Sequence, residues 1–205
     1  MAGNTSELKN YLLCTTNLQE KEWDRIKGSL TVKVYKKGEI IHQQGDPLNK
    51  VLFINSGLAR SHLMDSEGRE FTWSIHFNDK ESKIENLFII DFASFIRSSP
   101  SQIHFEAVED TEVVEIKKED LKLWYQESLY WANVGRILAE SAYCFTRDRS
   151  FSLLSKTATE RYKLLMDETP SFLNRGSQYH IASYLGVTPQ SLSRIRKELG
   201  VTKCE

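Results

Sequence analysis

The sequence predicts an α+β chain: a strand-rich N-terminal part closing into an antiparallel barrel or roll, a long connecting helix, and a C-terminal pair of short helices joined by a tight turn. Three observations predict it. Residues 31–77 alternate polar and apolar side chains between turn signals at Lys37-Gly38, Gly45-Asp46-Pro47, Ser56-Gly57 and Glu67-Gly68, the regular spacing of short antiparallel strands. From about Glu119 to Ser155 the apolar period becomes helical. Residues 181–197, IASYLGVTPQSLSRIRK, read as a helix-turn-helix whose second helix has one cationic face.

Taken in order, the chain opens with a helix from about Ser6 to Lys27, broken near Thr15 to Asn17. Gly38, Gly45 and Gly57 then serve turns that need a positive φ. The apolar cluster LFIIDFASFI, within residues 78–99, is placed as a short helix over a cavity mouth. Alternation returns from Ile103 to Ile116. In the long helix, Trp131, Val134, Leu138, Ser141 and Phe145 follow a 3,4 spacing, with small Ser141 and Ala142 alongside. Such a narrow stripe suits two copies of the helix packing on one another, so these five positions are expected at a homodimer interface. The domains are expected at residues 1–124 (roll with N-terminal helices), 125–155 (connecting helix) and 156–205 (C-terminal helices).

The C-terminal pair carries the most chemistry. Ile181 and Leu185 form the buried stripe of its first helix, and Ala182 lets a partner helix cross closely. Gly186 supplies the left-handed exit, and Val187 plugs the gap between the helices. Thr188 is the expected N-cap of the second helix, with Pro189 in its first turn. Leu192, Ile195 and Leu199 then share one face, and at about 100° per residue Gln190, Arg194 and Lys197 share the opposite one. Arg can bridge guanine O6 and N7, and Gln adenine N6 and N7, each good pair discriminating by about 1–3 kcal/mol. Thr188, Ser191 and Ser193 offer hydroxyls to phosphate oxygens. Arg196 lies nearer the packed side and is expected to reach backbone or a neighbouring helix.

Charge follows the same division. The chain carries a net −1, but residues 156–205 hold 8 Lys and Arg against 5 Asp and Glu, while the rest holds 19 against 23. The basic end is the one that would meet phosphates. No apolar run approaches the roughly 20 residues a membrane span needs, and a soluble, cytoplasmic protein is expected. Cys14, Cys144 and Cys204 stand far apart, without metal-ligand spacing, as suits a reducing compartment. His42, His62, His76 and His104 fall in the roll, but no His-x-His pair exists, so no metal is expected. No nucleophile with a base is readable, and no catalysis is expected. The competing reading is a small-molecule-binding barrel whose helical tail contacts other proteins; a cupin-like metalloenzyme is a third.

Three stretches resemble one family over nearly the whole length: KKGEIIHQQGDPLNKVLFINSGLAR (36–60), AVEDTEVVEIKKEDL (107–121), and the C-terminal helix pair preceded by TATERYKLLMDETPSFL. The chain resembles the cyclic-nucleotide-receptor and fumarate-nitrate-regulator (Crp/Fnr) family of bacterial transcription factors. The resemblance implies a double-stranded β-helix sensor roll, a dimer helix and a winged helix-turn-helix that reads a pseudo-palindromic operator, with RNA polymerase as a further partner. It places Pro189, Gln190 and Arg194 at the base-reading positions, where Pro189 cannot donate a hydrogen bond. Ending at Glu205, the sequence leaves little length for a wing. The family's nucleotide pocket uses a Gly-Glu pair and an Arg-Ser or Arg-Thr pair. Here Asp91 stands near the Glu position, and Ser101 and Gln102 replace the Arg pair, so the pocket has no cation for a phosphate. Arg97 is the nearest substitute. No cyclic nucleotide or other cofactor is therefore expected, and the effector is left open.

Overall fold

The computed structural model describes residues 4–79, 81–84 and 86–201. Helices α1 (Ser6–Thr16) and α2 (Glu20–Ile26) open the chain, separated where Asn17 takes the left-handed conformation at φ 53°. Eight strands follow: β1 (Thr31–Tyr35), β2 (Ile40–His42), β3 (Lys50–Ser56), β4 (Leu58–Met64), β5 (Glu70–Phe77), β6 (Phe88–Ile89), β7 (His104–Ala107) and β8 (Thr111–Lys117), with α3 (Phe92–Arg97) between β6 and β7. They form two antiparallel sheets, ordered β1-β8-β3-β6 and β2-β7-β4-β5. Leu52, Ile54 and Val113 of the first sheet and Ala59, Phe105 and Ala107 of the second share one core, which closes the roll.

The middle of β3 is an unbroken apolar run because both of its faces are covered. Leu52 and Ile54 point into the roll, whereas Val51 and Phe53 pack outward with Leu8, Leu12, Trp23 and Ile26 of the N-terminal helices. Burying one such Phe contributes about 1.5–3 kcal/mol. The β3–β4 hairpin turns at Gly57, whose φ of +101° and approach to β8 admit no side chain: a Cβ there would lie 2.6 Å from Thr111 Cα.

Helix α4 (Lys118–Glu127) leads into α5 (Leu129–Ser155), and four helices follow: α6 (Ala158–Glu168), α7 (Pro170–Arg175), α8 (Gln178–Leu185) and α9 (Pro189–Glu198). A third core joins α6 to α9 to the roll itself. Tyr162, Phe172, Ile181, Leu185, Leu192 and Ile195 pack in one cluster with Leu58, Ile75, Phe77 and Val108. Cys14 and Cys144 are exposed free thiols; Cys204, and any wing beyond Val201, lie outside the described residues. No helix among the described residues is long and apolar enough to cross a membrane.

Candidate nucleic-acid interface

Local sequence builds the α8–α9 pair. Ser177 accepts from His180 N (3.1 Å) to start α8, and Gly186 ends it at φ 68°. Val187 N donates to Ala182 O (3.0 Å), turning the chain, and Val187 packs on the shared core. Thr188 Oγ1 then accepts from Ser191 N (3.2 Å) while Pro189 occupies the first turn of α9. This is the side-chain cap and missing N–H that a helix start requires. Leu192 and Ile195 are buried.

The opposite face stands free. Pro189, Gln190, Ser193, Arg194 and Lys197 are exposed, and the side chains of the last four make no hydrogen bond or ion pair with any other described residue. Thr188 and Ser191 are less free, since the Thr188 hydroxyl caps the helix and lies 3.0 Å from Ser191 Oγ. Arg196 turns inward and donates to Tyr162 Oη at 3.1 Å, leaving Arg194 and Lys197 as the outward cations.

Behind this surface, α8 is docked on β5. Ser183 Oγ accepts from Thr72 N (2.8 Å) and donates to Glu70 O (3.1 Å). Next to it, Arg60 bridges Glu70 (2.6 Å) and Glu106 (2.5 Å), and His62 stacks on His104 at 5.0 Å. Burial, with the Arg60 cation, pushes His62 down to about 4, and the same two causes lower His180. Arg149 reaches across from α5: Nε donates to Trp73 O (3.1 Å), Nη2 donates to Thr72 O (3.3 Å) and to Tyr184 O, and the guanidinium lies 3.7 Å from the Tyr184 ring centre. Sequence reasoning missed Arg149 and Ser183. A signal existed for Arg149, which shares the helical phase of Trp131, Val134 and Phe145.

The five positions expected between two chains are divided by the fold. Trp131 and Val134 are 3% and 4% exposed, buried in their own chain against α1, α2 and α4, and Leu138 packs on the same cluster. Trp131 and Val134 are corrected to intrachain core, because the N-terminal helices fold back over α5, whereas Leu138 stays half-buried at the edge of that core. Ser141 is exposed, with its hydroxyl on Ile137 O (2.9 Å), and Phe145 is half-buried. The apolar side chains that α5 leaves in the open are instead Leu129, Tyr143, Phe151 and Leu154.

In the roll, Asp91 and Ser101 are brought together. Asp91 Oδ1 accepts from Ala93 N and Ser94 N to cap α3, and Oδ2 accepts from Ser101 Oγ at 3.0 Å. Gln102 is exposed and does not join them. Arg97 is also exposed, at the end of α3.

Residues 32–128 match the family model described as the cyclic nucleotide-binding domain. The roll is similar to that domain, and the chain has the fold of the Crp/Fnr-family structures below. Among solved structures, a Crp/Fnr-family transcriptional regulator from Eubacterium rectale aligns with a TM-score of 0.71 at 22% identity, covering 94% of this chain and 88% of its own. FixK2 from Bradyrhizobium japonicum aligns at 0.68 and 24%, covering 83% and 84%. The c-di-GMP-responsive global regulator CLP from Xanthomonas campestris aligns at 0.65 and 18%, covering 89% and 92%. No curated protein matches the chain. Within this Crp/Fnr fold the roll core is filled by apolar side chains. Arg60, the buried Lys or Arg of the roll among the described residues, is bound on the outer sheet face by Glu70 and Glu106. No cluster of three or more metal-ligating side chains occurs among the described residues.

Proposed function

We propose that the chain is a sequence-specific DNA-binding transcription regulator that acts as a homodimer, with residues 1–124 as the sensor roll, 125–155 as the dimer helix and 156–205 as the DNA-binding unit. One observation carries this reading: α9 presents Gln190, Arg194 and Lys197 without internal partners while Leu192 and Ile195 anchor its back. A surface helix that leaves two cations unneutralised is suited to phosphates and base edges in a major groove.

In this reading Gln190 and Arg194 read bases, Lys197 and Ser193 contact phosphates, Thr188 and Ser191 shape the helix start, and Pro189 offers only apolar contact. Two copies related by a twofold axis place their α9 helices about 34 Å apart on a pseudo-palindromic operator. The outward face of α5, with Tyr143, Phe151 and Leu154, meets its counterpart. RNA polymerase is a further partner, and the protein works in the cytoplasm without a cyclic nucleotide. Electrophoretic mobility shifts with the DNA upstream of the protein's own gene, at two salt concentrations, test the reading. Preferential binding that weakens steeply with salt is expected. Equal affinity for unrelated duplexes, with no salt slope, sinks it.

A further inference from the structure

Arg149 is 7% exposed and makes no ion pair among the described residues. Its guanidinium is spent instead on three backbone carbonyls that belong to two different parts of the molecule: Thr72 and Trp73 on β5 of the roll, and Tyr184 in the last turn of α8. The terminal carbonyls of a helix lack intrahelical partners, and a cation is favoured there. A second arginine works on the same turn from the other side. Arg161 of α6 donates to Leu185 O (3.3 and 2.8 Å) and to Lys156 O just past the end of α5. Gly186 follows at once, and with it the turn that sends α9 outward. The direction of α9 relative to α5 is therefore held at its root by a side chain that α5 itself supplies.

We propose that Arg149 is a positioning residue for operator recognition: by locking the end of α8 to both the roll and α5, it sets the angle between each α9 and the dimer axis, and so the half-site spacing the protein accepts. The proposal rests on the DNA-binding homodimer reading above. Arg149 touches no DNA in it. What it contributes is the stiffness that makes binding of the second half-site an intramolecular event with a high effective concentration. A planar fork lying on the Tyr184 ring while donating to three carbonyls is a task lysine cannot perform, because an ammonium is a point charge without that geometry.

The test uses the full chain, wild type and Arg149→Lys, with a duplex pool in which randomised half-sites are separated by spacers of varied length. Wild type is expected to enrich one spacing. Arg149→Lys is expected to enrich the same half-site bases across several spacings, with a loss of about tenfold in the ratio of full-site to half-site affinity. A merely structural role would lower both affinities together and leave that ratio and the spacing unchanged. Should Arg149→Lys not fold, Ser183→Ala loosens the same contact from the α8 side, and it too must broaden the spacing. Enrichment of one unchanged spacing by the folded variant overturns the proposal while the DNA-binding reading stands. Enrichment of no half-site by wild type overturns both.

Discussion

Ser101 Oγ donates to Asp91 Oδ2 across 3.0 Å, so two polar groups that the sequence suggests for a ligand pocket are already each other's partners. Asp91 also holds two free amides in the first turn of α3, those of Ala93 and Ser94. The pair is an internal brace of the roll. Replacing Asp91 with Ala is expected to cost about 1–3 kcal/mol by removing a cap and leaving a buried hydroxyl with fewer partners. Calorimetry would read this as a fall of about 2–4 °C per kcal/mol. Millimolar cyclic AMP is expected to leave the wild-type midpoint in place; a rise that grows with nucleotide concentration would show binding to the folded state.

Arg194 and Lys197 share the free face of α9 but should behave differently. Arg194→Ala is expected to cost about 1–3 kcal/mol on the preferred operator and to relax preference at one base pair. Lys197→Ala should weaken binding to all duplexes alike and reduce the salt slope by about one. Titrations against the operator and its single-base variants at several salt concentrations separate the two, and identical profiles would contradict the assignment.

The buried histidines make stability pH-dependent. Burial pushes His76 down to about 4, and burial with the Arg60 cation pushes His62 to about 4. Unfolded, each titrates near 6.5. Above about pH 6.5 neither state is protonated and the full stability is present; as pH falls toward 4, the unfolded chain takes up protons that the folded one excludes, and stability is lost. Lowered His42 and His180 act in the same sense. Thermal midpoints should drop between pH 7 and pH 5, and His76→Gln should drop less steeply than wild type. Equal slopes would remove His76 from this account.

The two faces of α5 should respond to substitution in opposite ways. Trp131→Ala, in the intrachain core, is expected to cost about 3–5 kcal/mol of stability. Phe151→Glu, on the outward face, should instead dissociate the proposed dimer with the roll intact. Sedimentation velocity reads the second effect directly; a Phe151→Glu protein that remains dimeric would move the interface elsewhere.

Much of this molecule was legible along the chain because the signals are local. The turn at Gly186, the Thr188 cap and the inward turn of Arg196 follow from residues within one or two helical turns, and the strand periods of 31–77 follow from alternation. The short helix after Ile90 and the break at Asn17 likewise stand where the composition placed them. The stripe on α5 shows where such reasoning stops. A 3,4 spacing says that one face is buried but not by what, and here α1, α2 and α4 claim Trp131 and Val134 before a second chain can.

The sequence by itself determined the α+β order, the strand-rich roll and the cationic face of α9, because periodicity, turn chemistry and capping act over a few residues. Only the tertiary structure decided that Asp91 and Ser101 spend their polar atoms on each other, that α5 turns Tyr143, Phe151 and Leu154 outward, and that Arg149 ties α8 to β5. Those are contacts between residues far apart in the chain, and what a buried polar group bonds to is settled by which distant backbone the fold brings within its reach.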